Sequence, residues 1–120
     1  MITKQEVIRA CLALPFVDED YPFMEDDWAA MRHRENRKVF AFVLTRQGQI
    51  WVNVKADPMW AEVWRSAFSA VVPAYHMNKR HWVSIILDGT MDDEDILRLI
   101  RDSYALTAPK RKKREESEDV

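Results

Sequence analysis

Between Tyr75 and Trp82 the chain gathers two histidines, an asparagine, a lysine and an arginine, and two kinds of chemistry are open to that mixture. Metal binding is the poorer fit. His76 and His81 are separated by four residues, but no Cys or acidic side chain stands at ligand spacing beside them, and the third histidine, His33, lies in a different segment; no metal ligand set is expected. Anion binding is better served, because Asn78, Lys79, Arg80 and the two imidazoles all present N–H donors at short spacing. The competing reading is structural hydrogen bonding by one or both rings.

A second basic group surrounds the first expected hairpin, where Arg32, Arg34, Arg37 and Lys38 are accompanied by His33 and opposed only by Glu35. Arg46 lies in the hairpin that follows. Cations on hairpin tips neutralise phosphates and orient a protein on a duplex, whereas sequence readout requires groups at base edges. No recognition helix is evident, so this pattern supports at most weak, largely sequence-independent binding, with ordinary solvated turns as its bland counterpart. Catalytic arrangements are weaker still. Ser84 falls within an expected strand and Cys11 within an expected helix, and two glycines, Gly48 and Gly89, are too few for a phosphate-cradling loop. A non-enzymatic role without a cofactor is the favoured expectation.

Charge bears directly on the nucleic-acid reading. The net charge is −2 and the sequence pI about 5.9, where a dedicated DNA-binding domain is usually basic. The last eleven residues hold five of the 18 basic and four of the 20 acidic side chains, leaving 13 against 16 and a body at −3. Any basic surface must therefore be local. The 120 residues suit one domain with one core, expected over 1–109, followed by a charged, disordered tail over 110–120. No apolar run reaches the roughly 18 residues of a membrane span and the N-terminus has no apolar signal core, so a cytoplasmic protein is expected. Cys11 reads as core packing.

The elements that position these groups follow from local patterns. Thr3 and Glu6 have capping-box spacing ahead of a helix over Lys4 to Leu14. Asp18 to Asp27 reads as an acidic loop. Trp28 to His33, Lys38 to Leu44 and Ile50 to Lys55 read as strands, with Gln47-Gly48 as the second turn. Asp57-Pro58 starts a helix whose apolar stripe is Trp60, Val63, Trp64, Ala67 and Phe68. Trp82 to Leu87 is a fourth strand, and Thr90 and Asp93 open a last helix with Ile96, Leu99, Ile100 and Tyr104 inward. The order α-β-β-β-α-β-α predicts an α+β fold, an antiparallel sheet with helices packed on one face. The other face would carry Trp51, Asn53, Lys55, Trp82, Ser84 and Ile86. Its two tryptophans are either a platform for bases or a partner protein, or rings covered by loops.

The segment Tyr75 to Gly89 (YHMNKRHWVSIILDG), together with Tyr21-Pro22-Phe23, Lys38-Val39-Phe40-Ala41, Lys55-Ala56-Asp57-Pro58 and Ser103-Tyr104, resembles the MmcQ/YjbR family of small bacterial proteins. The likeness runs in order from about Ile2 to Pro109. It implies a CyaY-like α+β domain, proposed to bind DNA through a double wing, with no established enzymatic chemistry. Candidate nucleic-acid or anion contacts are then Arg32, Arg34, Arg37, Lys38, Arg46, Lys55, His76, Asn78, Lys79, Arg80 and Trp82. The alternative is a protein-interaction or small-anion domain using the tryptophan face and the His76 to Trp82 loop. Alternating chain direction further predicts that Asn78 to Arg80 and the root of the tail share the Arg46 end of the sheet, opposite the Arg32 to Lys38 hairpin.

Overall fold

A computed structural model describes residues 1–24 and 27–110. Its element order is α1 (Lys4–Leu12), β1 (Val17–Asp20), β2 (Ala29–His33), β3 (Val39–Arg46), β4 (Gln49–Lys55), α2 (Pro58–Ala67), β5 (Val71–Pro73), β6 (Trp82–Ile86) and α3 (Asp93–Thr107). The strands form one six-stranded antiparallel sheet in the order β1-β2-β3-β4-β6-β5. The expected α+β architecture is present, extended by an edge strand on each side.

Local chemistry sets the boundaries. Thr3 and Glu6 form the reciprocal capping box of α1, and the Glu6 carboxyl is lowered to about 2 by the backbone N–H groups of Ile2 and Thr3. Asp57 Oδ1 accepts the Met59 N–H at 3.0 Å with Pro58 behind it, as Asp-Pro at a helix start should. Gln47 and Gly48 both have positive φ, 53° and 75°, which closes β3 onto β4 through a two-residue turn of the twist that hairpins favour.

The inner face of the sheet and the three helices share the main core. Val52, Val54, Val83, Ile85 and Leu87 meet Val7, Cys11, Ala61, Trp64, Ile96, Leu99 and Ile100 there. Burial pushes the Cys11 thiol up to about 12, so it is inert packing. One irregularity matters for the site: Met31 pairs with Ala41 but Arg32 with Val39, so Phe40 is an extra residue in the ladder. The bulge turns its ring to the helix side, against His33 and Tyr104 at 5.4 and 5.2 Å between ring centroids.

The outer face is not the open platform that alternation allowed for. Trp51 is only 8% exposed and Trp82 half-buried, in a second cluster with Phe42, Leu44, Trp28, Tyr75 and Met77. The loop after β5 folds across this face and is pinned by polar groups. Asn53 Nδ2 donates to the Tyr75 carbonyl at 3.0 Å, the Tyr75 N–H donates to Ser84 Oγ at 3.0 Å, and Ser84 Oγ donates to Asn53 Oδ1. Asn53 and Ser84 are fully buried, so they are fasteners for the covering loop and not outward-facing contacts.

Candidate nucleic-acid interface

β3 joins the hairpin tip at 34–38 to the tip at Gln47-Gly48, and its eight residues hold those tips roughly 26 Å apart and pointing in opposite directions. Arg46 therefore lies at the opposite end of the sheet from Arg34 and Arg37. The Arg46 guanidinium instead lies 4.7 Å from the Trp51 ring centroid and 4.2 Å from that of Tyr75, where it covers the outer cluster.

The Asn78 to Arg80 segment sits at the other end from the one chain direction predicted. β6 runs antiparallel to β4, with Trp82 opposite Lys55 and Ile86 opposite Trp51, because the short β5 carries the chain back along the sheet before β6 begins. The start of β6 thus lies at the Lys55 end, and the Ala56 N–H donates to the His81 carbonyl at 2.8 Å. α3 also ends there, since His33 Nε2 contacts the Tyr104 carbonyl and Thr107 Oγ1 at 3.0 Å, and Asn36 Nδ2 donates to the Thr107 carbonyl at 3.0 Å. The root of the tail does share an end with Lys79 and Arg80, but it is the end of the Arg34 to Lys38 hairpin. The tail beyond Lys110 lies outside the described residues.

The Lys55 end is consequently lined by three separate basic segments. Lys38 precedes β3, Lys55 closes β4, and Lys79 and Arg80 precede β6; with neighbouring strands about 4.8 Å apart, these strand ends span roughly 10 Å. Lys38, Lys79, Arg80 and Lys110 are exposed and Lys55 is half-buried. Asn78 is structural here, because its Oδ1 accepts the N–H groups of Arg80 and His81 at 2.9 and 3.2 Å and holds Lys79 and Arg80 on the outside of a tight turn. His76, at φ 58°, packs its ring against Tyr75 at 4.1 Å and serves the covering loop.

The hairpin arginines are already engaged. β1, formed from part of the segment expected as an acidic loop, lays Asp18 and Asp20 beside β2. Arg34 Nε and an Arg37 terminal nitrogen donate to the two oxygens of Asp18 at 3.0 and 2.7 Å, and Arg32 Nε donates to Asp20 at 2.8 Å. Hydrogen bonds from Arg34 and then Arg37 hold the Asp18 carboxyl below its ordinary range, and Arg32 does the same for Asp20. Arg32 also donates to the Arg37 carbonyl at 2.9 Å and is half-buried, so it braces the hairpin. Glu25 and Asp26, within the expected loop, lie outside the described residues. His33 is 3% exposed and its burial lowers its pKa, against the opposing bond to Tyr104; it is a core residue, not a wing contact.

One feature of the helix side was missed from sequence. A cleft of about 420 Å³ opens between α2 and α3, bounded by Lys55, Trp60, Trp64, Arg98, Asp102 and Leu106 among others. Trp60 and Val63 were expected in the buried stripe of α2, yet they are 54% and 47% exposed. The available signal was that Met59, Trp60, Ala61, Val63, Trp64 and Ala67 encircle more of α2 than a single sheet contact can cover.

Comparison with known proteins agrees with this architecture. The YjbR family matches residues 12–106. A relative from Escherichia coli K12, "Uncharacterized protein YjbR", is 32% identical over 103 residues, covering 86% of this chain and 85% of its own. "Uncharacterized protein YyaQ" of Bacillus subtilis is 29% identical over 118 residues, covering 89% of this chain and 99% of its own. The crystal structure of Deinococcus radiodurans protein DR2400 superposes with a TM-score of 0.83 at 30% identity, covering 97% of this chain and 88% of that one. A crystal structure from Pseudomonas syringae gives 0.78 at 28% identity, covering 88% and 98%. With the family match spanning most of the fold and both edge strands, the chain belongs to the YjbR family.

Proposed function

We propose that this protein is a non-enzymatic binding module that holds the phosphate backbone of double-stranded DNA against the Lys55 end of its sheet, with little sequence readout. The observation that carries the reading is the meeting of Lys38, Lys55, Lys79 and Arg80, drawn from three separate segments, at one end of the strands. Their side chains neutralise phosphates and orient the domain, so affinity is electrostatic and carries little sequence readout. Asp18 tempers it by engaging Arg34 and Arg37.

The test is fluorescence anisotropy of a labelled duplex with the full chain across a salt series. The four cations Lys38, Lys55, Lys79 and Arg80 predict a slope of log affinity against log salt of about −3.6, from roughly −0.9 per phosphate contact. Lys79→Ala with Arg80→Ala removes about half of that slope, and each exposed change alters stability by only about 0.5 kcal/mol. Absence of binding at low salt, or an unchanged slope in the double variant, sinks the reading.

A further inference from the structure

The cleft between α2 and α3 is a site the duplex reading does not use. Its apolar part is aromatic: Trp64 is buried and lies along the floor, while Trp60 stands 54% exposed, with Leu106, 50% exposed, among the lining residues contributed by α3. Each side also supplies one cation and one carboxylate, Lys55 and Asp57 from the β4–α2 junction and Arg98 and Asp102 from α3. None of these four charges is in a salt bridge among the described residues. Asp57 gives one oxygen to the Met59 N–H and keeps the other. The Arg98 guanidinium lies 5.8 Å from the Trp64 ring centroid.

From this we infer that the cleft binds a nucleotide carrying an exocyclic amino group, its base on the indole of Trp60 and its phosphate toward Lys55 and Arg98. A flat ring satisfies the indoles by stacking, an effect that is tolerant of base identity. The carboxylates select among bases, because Asp accepts from an exocyclic amino N–H and uracil and thymine offer none. An anion joined to the ring matches the two cations. The volume of about 420 Å³ lies within the range of small-molecule sites. Lys55 makes the cleft continuous with the basic end, so the same chemistry is offered by a free nucleotide or by an unpaired nucleotide of a bound strand.

Tryptophan fluorescence titration of the full chain with adenosine monophosphate tests the site. A saturable quench is expected that is lost in Trp60→Ala, with affinity retained by Trp60→Phe in a competition format. Adenosine monophosphate should bind roughly tenfold more tightly than uridine monophosphate, a preference abolished in Asp102→Ala, which removes the acceptor oxygens at an exposed position. A duplex with one unpaired 3′ dA that outcompetes the blunt duplex identifies a strand as the source; equal binding of the two, with the mononucleotide quench present, identifies the free nucleotide. The Lys79→Ala, Arg80→Ala double variant should keep the quench while losing duplex affinity, so failure of either site is seen separately. No saturable change at millimolar adenosine monophosphate, retention of the quench in Trp60→Ala, or tighter binding of free tryptophan or phenylalanine than of the nucleotide overturns the inference.

Discussion

Asp18→Asn is expected to tighten DNA binding, which is an unusual outcome for removing a well-formed ion pair. Both oxygens of Asp18 are occupied, by Arg34 at 3.0 Å and Arg37 at 2.7 Å, and the guanidinium-bearing side chains are 60% and 52% exposed. Asn keeps the shape and one acceptor oxygen but not the charge, so it frees one or both arginines at the edge of the basic end. Each freed cation that reaches a phosphate steepens the salt slope by about 0.9, up to about 1.8 for the pair. Between 200 and 50 mM salt, that extra slope multiplies the gain in affinity by up to about twelve-fold. Asp20→Asn is the matched control. It changes the net charge equally, from −2 to −1, but its partner Arg32 stays held by the Arg37 carbonyl and is half-buried. Anisotropy salt series on both variants at neutral pH, where Asp18 is ionised, separate local release from a general charge effect. Equal slopes in Asp18→Asn and the parent, or equal gains in the two variants, would refute the argument that Asp18 restrains the hairpin arginines.

Three further outcomes bear on the fold that supports the site. Ser84→Ala strands the Tyr75 N–H and leaves Asn53 half-satisfied, and urea denaturation should show a loss of about 1–3 kcal/mol together with looser protection of the 75–81 loop in hydrogen exchange. Trp51→Ala should cost about 3–5 kcal/mol because the ring is 8% exposed, while Trp51→Phe costs less, since it also removes a buried indole N–H that has no partner among the described residues. For His33 the folded pKa is below the ordinary 6.5, so the unfolded chain binds more protons; stability is full above that value and declines as pH falls from about 6.5 toward the folded pKa. Chemical denaturation at graded pH should show this decline, and His33→Gln should flatten that part of the profile.

What the sequence disclosed was decided by short-range chemistry. The capping box of Thr3 and Glu6, the Asp57-Pro58 start and the Gln47-Gly48 turn are local signals, and each stands where local reasoning put it. The two edge strands were illegible for the opposite reason. Val17–Asp20 is acidic and lacks an apolar alternation, because an edge strand is free to carry charges and here matches them to arginines on its neighbour. Val71–Pro73 is only three residues and ends in proline, which an edge position tolerates. Missing it reversed the inferred direction of β6 and moved Lys79 and Arg80 to the wrong end. Trp51 and Trp82 are outward by alternation, but burial depended on whether the 75–81 loop folds back, and periodicity carries no information about that.

The covering of that outer face determines where any function must lie. Helices occupy one side of the sheet and the aromatic loop cluster closes much of the other, so neither face remains as a broad flat platform. At the Arg46 end the tight Gln47-Gly48 turn leaves little exposed cationic surface, because Arg46 is itself stacked on Trp51 and Tyr75. At the Lys55 end the loops before β3 and β6 and the β4–α2 junction bring Lys38, Lys55, Lys79 and Arg80 to one end of the strands. The same junction opens sideways into the α2–α3 cleft, because α2 turns Ala61 and Trp64 inward and leaves Trp60 and Val63 exposed. Lys55 lines the cleft from the last position of a central strand at this end, and its backbone N–H donates to Ser103 Oγ at 2.8 Å. Lys55→Ala should therefore weaken duplex and nucleotide binding together, whereas Lys79→Ala affects only the first and Trp60→Ala only the second. A Lys55 variant that impaired one ligand and spared the other would show that the rim and the cleft are not continuous.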